Sequence, residues 1–161
     1  LYGMCDSLQP AVGYNWGAQK FSRVRAIEKC CFTASGVVSL LSVFVIALFP
    51  EQITSLFVAD AGSEILSISV TALRLFSLTY ITRWFSFAGQ SFMLAIEKPL
   101  PASVISVSTA LIFPLVLIGA LWPLGLTGIW LNFPGTSVLA AVLALIILKK
   151  LSREWKRQDA E

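Results

Sequence analysis

The chain has 161 residues, of which 57% are hydrophobic and 13% charged, with a net charge of +3 and a mean hydropathy of +0.79. About a quarter of an ordinary soluble chain is charged, so this composition points to hydrocarbon as the solvent. There is no histidine, and the three cysteines, Cys5, Cys30 and Cys31, have no metal-ligand spacing; with the commonest zinc ligand and general base missing, no metal site, organic cofactor, catalytic residue or nucleic-acid partner is expected.

In chain order, residues 1–29 read as the end of a preceding helix followed by a basic loop, punctuated by Pro10, Gly13 and Gly17. The chain opens on Leu1 with no basic leader ahead of an apolar core, which reads as a fragment of a longer polypeptide. Within that loop, Ala18 to Lys29 fits either a short amphipathic interfacial helix or a solvated basic segment. Residues 30–50 carry no charge and end at Pro50; as a helix they reach ~31 Å, the thickness of a bilayer core. Ser35, Ser39 and Ser42 form a small-residue stripe on that helix, suited to close packing in lipid.

A loop with Glu51, Asp60 and Glu64 follows, then a second span within 65–96, longer than the ~20 residues a bilayer needs. From Pro99 to Leu148 there is not one Asp, Glu, Lys or Arg. This run divides at Pro123, Gly125 and Gly128 into a third span, 102–121, kinked at Pro114, and a fourth, 126–148, with an irregularity at Pro134-Gly135. A basic tail, 149–161, ends the chain. The fold class is therefore an all-α membrane protein with four transmembrane helices, and the lipid bilayer is its first partner.

Four crossings put Lys20, Arg23, Arg25 and Lys29, then Lys98, then Lys149, Lys150, Arg153, Lys156 and Arg157 on one side. The other side holds Glu51, Asp60 and Glu64 and no basic residue. Positive charge marks the cytoplasmic face, so both chain ends are expected inside the plasma (inner) membrane.

Arg74 and Arg83 lie within the second span, where a charge costs ~2.5–3.5 kcal/mol at the bilayer centre and demands a partner or water. Arg74, near the outer end, is expected to snorkel or to pair with Glu64. Arg83 shares one helix face with Thr79, Ser86 and Gln90, with Thr82 beside them. These five, with Asn132 of the fourth span, are the substrate-cavity candidates; Thr136 and Ser137 are weaker ones. The competing reading makes Arg83 a structural pair with a neighbouring helix.

The segment Leu8-Gln9-Pro10-Ala11-Val12-Gly13-Tyr14-Asn15-Trp16-Gly17-Ala18-Gln19-Lys20 resembles the signature loop of the multidrug and toxic compound extrusion (MATE) family. Gln9, Pro10, Gly13, Tyr14, Asn15, Gly17 and Ala18 carry the match. Glu97-Lys98-Pro99 is similar to that family's tenth-to-eleventh helix connection, and Gly125-Leu126-Thr127-Gly128-Ile129-Trp130-Leu131 to the start of its last helix. The resemblance implies the end of helix eight and helices nine to twelve of a twelve-helix transporter, missing its N-terminal helices. It further implies Na⁺- or H⁺-coupled export of small organic, often cationic, compounds by rocking of two lobes. Some members carry a coupling carboxylate in the helix matching the second span; here there is no Asp or Glu between Glu64 and Glu97. Any coupling-ion site is therefore expected outside this chain. Two other readings compete: a flippase for lipids or lipid-linked sugars of the same superfamily, and a non-transporting four-helix membrane subunit. An enzyme is not expected, because no nucleophile has a base beside it.

Overall fold

The computed structural model describes residues 2–57 and 63–158. Asp60, the side chains of Lys156 and Arg157, and the last residues of the tail lie outside the described residues. The described residues are helical with short connections and contain no strand. The helices are α1 (Tyr2–Gly17), α2 (Phe21–Leu48), α3 (Pro50–Ser55), α4 (Ser63–Ser77), α5 (Thr79–Ala95), α6 (Pro99–Val107), α7 (Phe113–Leu121) and α8 (Gly125–Gln158).

Helix α1 carries the expected helix end further, through the residues read as its punctuation. It runs through Pro10 and Gly13 to Gly17, with Pro10 on its exposed side. Cys5, Leu8 and Val12, buried at helical spacing, hold it against the bundle. The chain then turns at Gln19, whose φ of 56° is left-handed. Gln19 N–H donates to Trp16 O at 2.9 Å and Lys20 N–H to Asn15 O at 2.9 Å, the paired bonds of a Schellman cap. So neither Pro10 nor the two glycines of the signature segment ends the helix; Gln19 does. The same device closes α5: Glu97 has φ 59°, its N–H donates to Leu94 O at 3.2 Å, and Lys98 N–H donates to Met93 O at 2.9 Å. Pro99, which cannot continue a helix from within, opens the next one.

Because α2 starts at Phe21, the basic residues Arg23, Arg25 and Lys29 stand on the first turns of the same helix that continues through 30–48. Ser35 and Ser39 are buried on α2, whereas Ser42 is exposed and bonded to Val38 O of its own helix. Gly36 lies under the Trp84 ring, 3.3 Å from where a Cβ would stand.

Helices α4 and α5 form one long rod with a break at Leu78. Ser77 Oγ donates to Arg74 O at 2.8 Å, a side-chain bond that competes with the helical ladder just where the break occurs. Glu64 is in the first turn of α4 and Arg74 in the last, ~15 Å apart along the axis, so the expected Glu64–Arg74 pair cannot form.

Among the described residues, three helical stretches are long and apolar enough to cross a membrane: Phe21–Leu48, Glu64–Ala95 and Pro99–Arg153. The third, at 55 residues, would be ~80 Å if straight. It folds back on itself instead, and α7 packs along α8. A single 3-10 turn, Trp122–Leu124, and Gly125 at φ +57° reverse the chain. Gly128 then meets the Leu121 carbonyl so closely that a side chain has no room. Before the turn, Pro114 lacks the N–H that would bond residue 110, and its ring would press on that carbonyl. Residues Ser108–Ile112 relieve this as a π-turn, in which Phe113 N–H reaches back to Ser108 O. The kink expected at Pro114 is thus a widened turn just ahead of it. Pro134, by contrast, leaves α8 unbroken, and Gly135 admits Leu117 of α7. The helix also continues into the basic tail, where a separate segment was expected from residue 149.

Helix α5 is the hub, packed on α1, α2, α6 and α8. Leu8, Val12, Val24, Phe92, Ala95, Ile96 and Leu151 form one core cluster. It gathers the C-terminal halves of α1, α5 and α8 and the start of α2, so the basic turns at Lys20 and Lys98 and the basic end of α8 share one end of the bundle. Met93, Ala102, Ile105 and Ala144 form the second cluster, with α6 against α5 and α8.

Candidate functional site

Two adjoining cavities open along α5, meeting at Arg83, Phe87 and Thr109. The first, of about 520 Å³, is lined by Phe76, Thr79, Tyr80, Pro114, Asn132, Phe133 and Thr136 besides the three shared residues. The second, of about 390 Å³, adds Asp6, Gln9, Gln90, Ser91, Leu94, Ser106 and Ala110. Thr109 and Ala110 of the π-turn at Ser108–Ile112 line this groove.

Arg83 sits at the junction, partly buried, with its guanidinium carbon 5.5 Å from the centroid of the Phe87 ring one helical turn away. Thr79 is 3% exposed and its hydroxyl is buried without a hydrogen-bond partner. Such a group costs roughly 1–3 kcal/mol when nothing satisfies it. Asn132 Oδ1 accepts from Thr136 Oγ1 at 3.2 Å, which leaves the amide N–H donors of Asn132 unused among the described residues. Phe76 is edge-on to Phe133 at 5.1 Å and to Tyr80 at 6.1 Å, forming an aromatic wall on the first cavity.

The polar stripe expected on α5 therefore divides. Thr79, Arg83 and Gln90 face the cavities, and Asn132 joins them from α8. Thr82 does not: its hydroxyl is 2.8 Å from Ser137 Oγ and ties α5 to α8. Ser86 is buried and donates to Arg83 O at 3.0 Å. Of the signature segment, Gln9 lines the second cavity, Gly13 faces the Ala95 carbonyl, which a Cβ there would meet at 3.5 Å, and Tyr14 is exposed. Asn15 Nδ2 donates to Ala11 O at 2.8 Å on its own helix, while its Oδ1 is buried without a partner.

Asp6 is the residue that sequence reasoning missed. Residues 1–29 read as the end of a helix and a loop, so its carboxylate was not weighed as part of a cavity. In the structure it stands on the wall of the cavity that also holds Arg83. The apolar repeat Cys5, Leu8, Val12, Trp16 is the signal that marks α1 as a packed helix and places Asp6 on its free face.

This division makes a labelling experiment specific. In a background lacking Cys5, Cys30 and Cys31, Gln90→Cys is expected to react with a water-soluble thiol reagent and Ser86→Cys to stay unreacted. Labelling of both at equal rates would mean that the groove extends around α5; labelling of neither would mean that water does not reach it.

The match to the MatE family model extends over residues 1–118. No curated protein matches the sequence closely enough to count as a relative. The fold is similar to a solved structure described as the inward-facing conformation of a multidrug resistance MATE family transporter of the MOP superfamily, with a TM-score of 0.86 at 17% sequence identity. That likeness covers 96% of this chain and 36% of the solved one, so the chain spans about a third of its length. With the family match over most of its residues and helices long and apolar enough to cross a bilayer, this integral membrane chain belongs to the MatE family.

Proposed function

We propose that this chain is part of the second six-helix lobe of a cation-coupled antiporter that exports small amphipathic organic compounds. The helices missing from it would supply the opposite wall of the path. The observation that carries the reading is the groove at Arg83, lined by polar and aromatic side chains along the hub helix of a bundle that exposes many large apolar side chains. A charge held at such depth in lipid marks a pathway more often than a scaffold. The aromatic wall and unpaired hydrogen-bonding groups fit ligands that are themselves amphipathic.

The topology we propose has four crossings: α2, the α4–α5 rod, the α6–α7 rod and α8. The shared basic end of the bundle faces the cytoplasm in the plasma (inner) membrane, in accord with the positive-inside rule. Either Na⁺ or H⁺ would drive export. The test is to express the complete polypeptide in an efflux-deficient host and follow retained fluorescent dye. Faster dye loss that collapses with the ion gradient is the expected result. Unchanged dye retention and unchanged drug tolerance, at good membrane expression, would overturn it.

One observation favours a second reading. A deep arginine also suits the phosphate of a lipid-linked sugar, which makes a flippase of the same superfamily the alternative. Deletion would then cost the cell an envelope polymer rather than its tolerance to toxic compounds.

A further inference from the structure

A separate cavity, of about 400 Å³, lies at the basic end of the bundle, between the start of α2, the end of α5 and the last part of α8. Arg25 and Glu28 of α2 and Lys149 and Ser152 of α8 form its polar lining. Phe92, Leu148 and Leu151 form the apolar part. Phe92 and Leu151 belong to the buried core cluster, whereas Arg25, Lys149 and Ser152 are exposed and Glu28 is partly buried. The level of this cavity in the membrane is written in the sequence. The charge-free run of α2 begins at Cys30, just after Arg25 and Glu28, and the long charge-free run that closes α8 ends at Leu148, just before Lys149 and Ser152. The cavity therefore straddles the level at which both helices pass from hydrocarbon to headgroups. Its charge is of both signs. Arg25 stands one helical turn before Glu28, near enough for the two to attract. A carboxylate in the wall works against a purely anionic headgroup and favours one that carries a cation as well.

We infer that this cavity holds the headgroup of a phosphoethanolamine lipid: the phosphate on Arg25, Lys149 and the Ser152 hydroxyl, the ammonium on Glu28, and the glycerol and upper acyl carbons against the apolar lining. Phosphate oxygens accept charge-assisted hydrogen bonds from both arginine and lysine, and a primary ammonium has N–H donors for a carboxylate. The dipole of such a headgroup runs opposite to that of the Arg25–Glu28 pair, so the lipid adds to that pair instead of breaking it. Phosphatidylcholine has no N–H to offer Glu28, and phosphatidylglycerol has no cation at all. The inference stands apart from the transport reading, since it requires only that the chain lie in a bilayer.

The test is native mass spectrometry of the complete protein, released from nanodiscs made of equal parts dioleoyl phosphatidylethanolamine, phosphatidylcholine and phosphatidylglycerol. The lipid retained on each molecule is counted by class. Phosphatidylethanolamine is expected to exceed each of the others about fivefold, the upper range for one partly exposed ion pair. In Glu28→Gln, which keeps the shape and removes the charge, that excess should fall towards one. In Lys149→Gln retention of all three classes should fall together while the excess survives. Lys150→Gln removes the same charge one residue away, outside the cavity lining, and should change neither quantity. Soluble O-phosphoethanolamine in molar excess should leave the retained lipid in place. Because preference is a ratio within each variant, partial loss of folded protein does not mimic the effect.

Four outcomes overturn the inference. An excess of phosphatidylglycerol that Glu28→Gln leaves unchanged would mean that positive charge alone collects lipid there. Equal effects of Lys149→Gln and Lys150→Gln would spread that attraction over the whole basic end. Equal retention of the three lipids would mean that the headgroup is not read. Displacement by soluble O-phosphoethanolamine would make a free phosphomonoester the ligand in place of a lipid. None of these results bears on dye export, which is measured separately.

Discussion

Replacing Arg83 by alanine is expected to lower transport at least tenfold while leaving most of the protein in the membrane. The guanidinium stands where the two cavities meet, with Phe87 as its neighbour. A hydrogen bond to a charged group contributes about 1.5–3 kcal/mol, and ~1.4 kcal/mol is a factor of ten in affinity. Losing one such bond to the ligand therefore predicts a ten- to hundredfold loss. The measurement is transport per molecule, with the amount of membrane-inserted protein determined in parallel. If the amount collapses and the remaining molecules transport normally, Arg83 is a structural pair with a neighbouring helix rather than a ligand contact.

The second large effect is structural. Gly128→Ala is expected to prevent stable packing of the α7–α8 hairpin, because a methyl group there has to displace the Leu121 carbonyl. Backbone yields far less readily than the end of a side chain, so the cost should reach or exceed the ~1–3 kcal/mol of ordinary overpacking. Gly119→Ala on α7 is the control. Nothing lies within 4 Å of its added Cβ, and alanine in a helix gains roughly 0.5–1 kcal/mol over glycine. Thermal unfolding in detergent should thus separate the two substitutions in sign: a lowered or absent transition for Gly128→Ala, an unchanged or raised one for Gly119→Ala. A Gly128→Ala protein as stable as the parent would show that the reversal does not depend on this close approach.

How far the sequence reaches is clear from these residues. The apolar helices are legible because hydrocarbon tolerates so few charges that charge-free runs stand out, and Pro99 to Leu148 is such a run. The polar stripe on α5 is legible from the 3.6-residue period. That period says which side chains share a face, but not which of them a neighbour takes. Thr82 looks equivalent to Thr79 in sequence, yet Ser137, far along the chain, takes its hydroxyl. Helix ends were hidden for a different reason. Glycine and proline are strong local punctuation, and reading α1 by them breaks it at Pro10. The chain instead uses Gln19 and Glu97 in the left-handed region, a choice that no residue-type rule singles out and that pays off only once the Schellman bonds form. Misplacing that helix end is what concealed Asp6.

The contact between Gly128 and Leu121 also bears on how the chain enters a bilayer as it is made. The reversal from Leu121 to Gly128 contains no charged side chain, so in the four-crossing topology proposed above no charge would have to pass through hydrocarbon with it. In the topology proposed above, Lys149 and Lys150, the first charges after the run, would hold the end of α8 on the cytoplasmic side. In that topology the last third of the chain would insert as one unit, and cutting synthesis short within α8 would strand α7 without the helix it packs along.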